Sequence, residues 1–303
     1  MIKPTLDVRI PLSPTPSFYN RACLIIKSLS EFYDCAFTFY YTSPAGIELD
    51  DTINASTFTY EADVLWRRMS DSVTAQWALT NNKFAGGIIE RFRPPFHADH
   101  VLLLDADVIC CKGFIELFDL PPAISAVPAH VGPFGTSNAS VWSQLYADFN
   151  VEPLPATHEL TGYPFMTNNR YTPAYFNTGV VFAPASVFET ISDSFFRAVE
   201  FVRTNMDTYF IDQVALTLAL AAHPDIAVND LAVKYNFPND PGFDDKYADQ
   251  LEQIKFLHFL RQGPVDRERD FESDEAIRKL CVRPGLKGSN KVFRNRIAEL
   301  VGC

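Results

Sequence analysis

Val101-Leu102-Leu103-Leu104-Asp105-Ala106-Asp107-Val108 runs four apolar residues straight into a pair of acids. Four consecutive apolar residues without polar alternation belong on a strand covered on both faces, as in the central strands of an α/β sheet. Two acids follow at once, separated by one alanine. In open α/β sheets ligands bind in the crevice beyond the carboxyl ends of the strands, so Asp105 and Asp107 stand where chemistry is expected. In regular β geometry residues two apart share a face with their side chains side by side. A turn directly after the strand would instead bring both carboxylates to one cation. Mg2+ or Mn2+ suits such a pair, being hard and content with one or two carboxylates plus substrate phosphates. The competing reading of Asp-x-Asp is a solvated turn.

Working outward, residues 6–11 read as a short strand, Pro14 and Pro16 break it, and residues 18–29 carry a helical pattern. Residues 36–42 are aromatic and β-prone, a second strand. Residues 61–93 space Val64, Leu65, Met69, Val73, Trp77 and Leu79 as helices would, ending at Pro94-Pro95. Downstream, residues 121–173 are rich in Pro, Gly, Asn and Thr and read as a long loop with one short helix near 141–149. Loops of that length are often functional. A second apolar strand is expected over 175–183, helices over 187–203 and 212–222, a short strand near 226–228 and a last strand over 255–259. The chain after Asp266 reads as a charged tail, partly helical near its end. Strands alternating with helices imply right-handed crossovers and a mostly parallel sheet.

The 303 residues, 47% of them hydrophobic, suffice for a large core. A net charge of -11 excludes a general polyanion binder, because nucleic-acid affinity comes from clustered Lys and Arg. Phosphates would have to be held locally, and a bound cation can do that against an acidic background. The six cysteines, at 23, 35, 110, 111, 281 and 303, show no C-x-x-C spacing and read as reduced thiols. Neither a leader pattern nor an apolar stretch of membrane-spanning length is present in the sequence, so a cytoplasmic location with no transmembrane segment is the expectation.

Further motifs follow in order. Phe176-Asn177-Thr178-Gly179 leads into the apolar Val180-Val181-Phe182, where glycine permits close backbone approach to a ligand. Asp212-Gln213 opens an apolar helix, Lys234-Tyr235-Asn236 follows a strand, and His258-Phe259 ends one. This ordered set resembles glycosyltransferase family 8. The resemblance spans roughly residues 100–260, more loosely the first strand and helix. It implies an α/β protein with the GT-A (nucleotide-diphospho-sugar transferase) fold, a mostly parallel central sheet and flanking helices. A single domain over 1–303 is expected: about 1–120 a nucleotide- and metal-binding half, about 121–265 a donor-sugar and acceptor half, and 266–303 the tail.

Carried over by position, the resemblance implies Asp105, Asp107 and His258 as ligands of Mn2+ or Mg2+. Asn177, Thr178 and Gly179 would line the donor sugar, and Asp212 and Gln213 would lie near the anomeric carbon as catalytic residues. Asp212 has a competing reading as a helix N-cap. Ser13, Tyr19, Lys83, Ala106 and Arg261 are the candidate nucleotide contacts; Tyr19 could equally anchor the core, and Lys83 could be a solvated helix residue. The family's Gly and Lys-Pro-Trp after His-Phe are replaced here by Leu260-Arg261-Gln262-Gly263-Pro264-Val265-Asp266-Arg267. Arg261 or Arg267 could then supply the positive charge, though an Arg is no simple stand-in for a Lys.

The expected activity is transfer of a sugar from a nucleotide diphosphate donor, a uridine one, with retention, to a hydroxyl acceptor that is a glycan, lipid-linked or small-molecule group. A nucleic-acid partner is not expected. Two alternatives come from other classes. A haloacid-dehalogenase-type phosphatase also presents Asp-x-Asp at a strand end, but usually near its start. A non-catalytic nucleotide-sugar-binding module would keep the fold without turnover. A nucleotide-sugar synthase would bring a Gly-rich basic loop, which Ser13-Pro14-Thr15-Pro16 does not resemble.

Overall fold

The structure, a computed structural model, describes residues 3–13, 15–42, 62–70, 85–134, 138–153, 158–159, 171–206, 208–260 and 263–303. Strand β1 (Thr5–Leu12) leads to α1 (Pro16–Ser30), whose proline sits in the first turn where its fixed φ suits a helix start. Next come β2 (Asp34–Tyr41), β3 (Asp63–Arg68), α2 (Ala85–Glu90), β4 (His100–Leu104), β5 (Val108–Cys110) and β6 (Ala123–Pro128). Then follow α3 (Asn138–Phe149), β7 (His158–Glu159), β8 (Tyr171–Thr172), β9 (Phe176–Pro184), α4 (Ala185–Asn205) and α5 (Ile211–Ala221). The chain closes with β10 (Ala227–Asp230), β11 (Phe237–Pro238), α6 (Pro241–Lys246), β12 (Phe256–His258), α7 (Asp274–Cys281) and α8 (Gly288–Val301).

Seven strands form the central sheet in the order β10-β6-β9-β4-β1-β2-β3. Neighbours run parallel except for β9, which is antiparallel to both β4 and β6. Strand β4 is covered on both faces, as its unbroken apolar run requires. Leu102 and Leu104 enter a core built with α1, α7 and α8, while Val101 and Leu103 enter a second core built with α3, α4 and α5.

Three expectations need correction. Residues 63–68, grouped above with a helical pattern, form β3 at the sheet edge. The period-2 pair Val64 and Trp66 packs on the core while Leu65 stays half exposed, and Trp66 stacks on Phe39 of β2 at 4.7 Å. Val73, Trp77 and Leu79 lie outside the described residues. Within the expected loop of 121–173, Ala123–Pro128 is a fully buried strand; five small and β-branched residues between prolines are too short to show a period, and pairing with β9 and β10 decides them. The charged tail is core structure. Phe271, Ile277, Leu280, Phe293 and Ile297 are buried in the same core as β1, and Ser273 caps α7 by accepting the Ala276 N–H at 3.2 Å.

Residues 100–110 hold two strands with the expected turn between them. After Leu104 the chain turns through Asp105-Ala106-Asp107, with the Val108 N–H reaching the Asp105 carbonyl at 3.3 Å. It then enters β5 of a small sheet ordered β11-β12-β5. The Asp105 N–H donates to the Gly179 carbonyl at 2.9 Å, and the Phe259 N–H to the Asp107 carbonyl at 2.9 Å. The turn is therefore fastened to both sheets.

Candidate metal and donor site

At this turn the ends of β4, β9 and β12 meet. Antiparallel pairing of β12 with β5 sets His258 opposite Val108, which carries the imidazole to the two acids. His258 Nε2 lies 3.1 Å from Asp107 Oδ1 and 3.8 Å from Asp105 Oδ2, and one ligand atom from each of the three residues falls within 4.8 Å of the others. Adjacent ligands around an octahedral Mg2+-type cation stand roughly 3 Å apart, given bonds of about 2.1 Å. The two nitrogen–oxygen separations are near that value, and the donor set of two carboxylates and one imidazole fits Mn2+ or Mg2+.

Behind the acids lies Arg91, fully buried just past α2. One terminal nitrogen donates to the Leu104 carbonyl and to Asp105 Oδ1, both at 2.8 Å. The other donates to the Thr178 carbonyl at 3.0 Å and lies 3.6 Å from Asp212 Oδ2. The Thr178 hydroxyl donates to the same Asp212 oxygen at 2.5 Å. Asp212 is thus a buried carboxylate rather than a helix cap; the N-cap position of α5 is Phe210. Burial pushes the Asp212 carboxyl above its ordinary range, against the opposing pull of Arg91 and Thr178.

In front, Arg267 donates to Asp107 Oδ2 at 2.6 Å. Burial alone would raise the Asp107 carboxyl, but His258 hydrogen-bonded to it and the Arg267 and Arg21 guanidinium groups hold it well below the usual carboxylate range. Arg21, buried in α1, lies over the Phe18 ring at 3.9 Å and faces Glu268 at 3.6 Å. Burial pulls its guanidinium down to about 10. Glu268 also accepts from the Ser17 hydroxyl at 2.5 Å. Two guanidinium groups, those of Arg21 and Arg267, therefore act on Asp107.

The sequence-predicted residues divide as follows. Asp105, Asp107 and His258 come together, with Ala106 buried in the turn between the acids. Asn177 and Gly179 adjoin His258 through β9, whereas the Thr178 side chain points inward to Asp212. A Cβ on Gly179 would collide with His258 Cε1 and stand 2.8 Å from Asn177 Oδ1, so only glycine leaves the ring its place. Gln213 is half-buried beside Asp212, and Ser13 half-buried beyond β1. Tyr19 is buried and pairs with Trp66 at 5.9 Å between ring centres, a core anchor's surroundings. Lys83 and Arg261 lie outside the described residues. Sequence reasoning missed Arg91 and gave Asn236, quoted within its motif, no role, because neither shows its long-range partners locally; a charged residue flanked by Ile88, Ile89 and Phe92 was the one available signal for Arg91.

The family described as Rhodobacterales glycosyltransferase domain matches residues 15–223, more than two thirds of the chain. Among solved structures, an active-site mutant of LgtC matches with a TM-score of 0.54 and 13% identity, covering 98% of this chain and 95% of LgtC. LgtC in complex with donor and acceptor sugar analogs, described as a galactosyltransferase, gives 0.52 at the same identity and coverage. The bifunctional glycosyltransferase WbbM gives 0.50 at 13% identity, over 97% of this chain but 51% of WbbM. No curated protein matches. Likeness at such identity concerns the fold, which is the GT-A fold; the family match makes the chain a glycosyltransferase and leaves the phosphatase alternative without support. Among the described residues no helix is long and apolar enough to cross a membrane.

Proposed function

The chain belongs to the Rhodobacterales glycosyltransferase domain family, and on that premise we propose that it moves a sugar from a nucleotide diphosphate donor, a uridine one, to a hydroxyl acceptor with retention of anomeric configuration. The observation that carries this reading is the convergence of Asp105, Asp107 and His258 on one point at the carboxyl end of β4. LgtC binds donor and acceptor sugar analogs on the same fold, which supports a sugar donor and a sugar acceptor here.

Asp105, Asp107 and His258 would hold Mn2+ or Mg2+, which when bound supplies Lewis-acid stabilisation to the leaving diphosphate. Arg267 stands close enough to Asp107 to turn its guanidinium to the same diphosphate, giving the charge that the family's Lys-Pro-Trp would give. Asn177 borders the donor sugar, and Gly179 leaves the His258 ring its place beside it. As the anomeric carbon–oxygen bond breaks, its electron pair leaves with the diphosphate and the acceptor oxygen bonds from the same side. The acceptor proton passes to the departing phosphate oxygen. Asp212 is buried with one oxygen held by Thr178 and Arg91, so it steadies the developing positive charge rather than attacking the carbon. Gln213 is a poor nucleophile, which also favours the front-side route.

Donor hydrolysis and transfer with Mn2+ across a panel of nucleotide sugars tests the proposal. Asp105→Ala and Asp107→Ala are expected to lose the metal-dependent rate. Wild-type hydrolysis by either variant would defeat the metal reading.

A further inference from the structure

His258 ends a chain of hydrogen bonds whose direction is set by a backbone group. The Gly179 N–H can only donate, and it donates to Asn177 Oδ1 at 2.9 Å. Asn236 Nδ2 lies 3.0 Å from the same oxygen. An oxygen already accepting from a peptide N–H requires a donor there, so the Asn236 amide must turn its NH2 toward Asn177 and its oxygen the other way. That oxygen is 2.9 Å from His258 Nδ1. It can only accept, so Nδ1 must carry a proton. Asn236 has no exposed surface, and His258 is buried, so water does not relax these constraints.

From this geometry we infer that Asn236 is the positioning residue of the candidate metal centre, a relay that passes the fixed polarity of the Gly179 N–H to His258 and keeps the Nε2 lone pair directed at the point shared with Asp105 and Asp107. The inference rests on the metal reading of that site. Left to itself, a neutral imidazole 3.1 Å from a carboxylate oxygen would place its proton on Nε2, where Asp107 accepts it, and would then offer no lone pair to a cation. The relay opposes that tautomer, since reversing it would set the lone pair of Nδ1 against an oxygen or set two amide oxygens against each other. An outer partner that fixes the tautomer of a metal-binding histidine commonly raises the ligand's affinity. Asn177 also gains a second role. With its oxygen committed inward to two donors, its NH2 is left to donate to whatever occupies the site, which ties contact with a donor sugar to the order of the metal ligand.

The test uses the intact protein without nucleotide. Mn2+ affinity is read by electron paramagnetic resonance of free Mn2+, and the His258 tautomer by long-range nitrogen–proton NMR on the metal-free protein at a pH where the ring is neutral. Wild type is expected to show the proton on Nδ1. Asn236→Ala is expected to weaken Mn2+ binding by roughly 10–100-fold and to move the proton to Nε2. Asn236→Asp keeps an acceptor for Nδ1 and is expected to keep the proton on Nδ1, although it gives up the donor to Asn177 Oδ1. Neutral wild-type His258 protonated on Nε2, or Asn236→Ala binding Mn2+ within about 3-fold of wild type, overturns the relay. If Asn236→Ala does not fold, the wild-type tautomer and Asn236→Asp decide it. Wild type that binds no Mn2+ would sink the metal reading instead, and the tautomer would still judge the relay.

Discussion

Replacing Arg91 with Met tests the buried charge cluster most directly. The guanidinium has no exposed surface and satisfies three carbonyls, those of Ile88, Leu104 and Thr178, while facing two carboxylates. Methionine fills much of the stem's volume and removes the charge and every donor. Asp105 is 30% exposed, so water takes over much of its solvation, and the loss there is small. Asp212, 10% exposed at its side chain, keeps the Thr178 hydroxyl and the Gln213 backbone N–H but no cation. The cost is that of stranding one buried carboxylate, about 3–5 kcal/mol. On thermal unfolding this corresponds to a Tm lower by roughly 6–20 °C, at about 2–4 °C per kcal/mol. The decisive measurement is a double-mutant cycle by urea unfolding. In the Arg91→Met background, Asp212→Asn removes the stranded charge and is expected to restore stability, whereas in the wild-type background it breaks a satisfied pair and lowers it. An Arg91→Met protein within about 1 kcal/mol of wild type, or an Asp212→Asn effect of the same sign and size in both backgrounds, would refute the reasoning.

Two further outcomes follow from the structure. In metal-free protein, Asp107 has its carboxyl held below the ordinary range when folded, so its stabilising share is present above about pH 4 and is lost as pH falls toward the lower folded value. Asp212, shifted upward, contributes with the opposite sign, favouring the fold at low pH and losing that share as pH rises through its folded value. Asp107→Asn should therefore flatten the acid limb of stability against pH, and an acid limb parallel to that of wild type would count against the ion pairs drawn here. Phe293→Ala, in the segment whose composition suggests a loose tail, is expected to cost about 3–5 kcal/mol because the ring is fully buried against Phe259 and Phe271. A change below about 1 kcal/mol on chemical unfolding would show that α8 does not belong to the core.

Local pattern carried a good part of the fold. The run Val101-Leu102-Leu103-Leu104 forms a strand buried on both faces because nothing polar interrupts it, and the residues after Glu61 were misread because Val64, Leu65 and Met69 satisfy a helical spacing as readily as Val64 and Trp66 satisfy a strand's. Strand β6 escaped notice because five residues between prolines carry no period at all. In the tail, the charges that suggested solvent lie mostly on the outward faces of α7 and α8, Arg296 alone among them turning inward to the Cys110 carbonyl, while Ile277, Leu280, Phe293 and Ile297 recur at helical spacing toward the core.

The amino-acid sequence by itself determined the elements with strong periodicity, the position of the acids at a strand end and the family resemblance, since these depend on neighbours along the chain. The tertiary structure alone decided the antiparallel course of β9, the burial of Arg91 between Asp105 and Asp212, and the relay from Gly179 through Asn177 and Asn236 to His258. The physical reason is range. Arg91 meets the Thr178 carbonyl across 87 residues and His258 meets Asp107 across 151, and hydrogen-bond polarity between such partners exists only once packing has brought them together and excluded water.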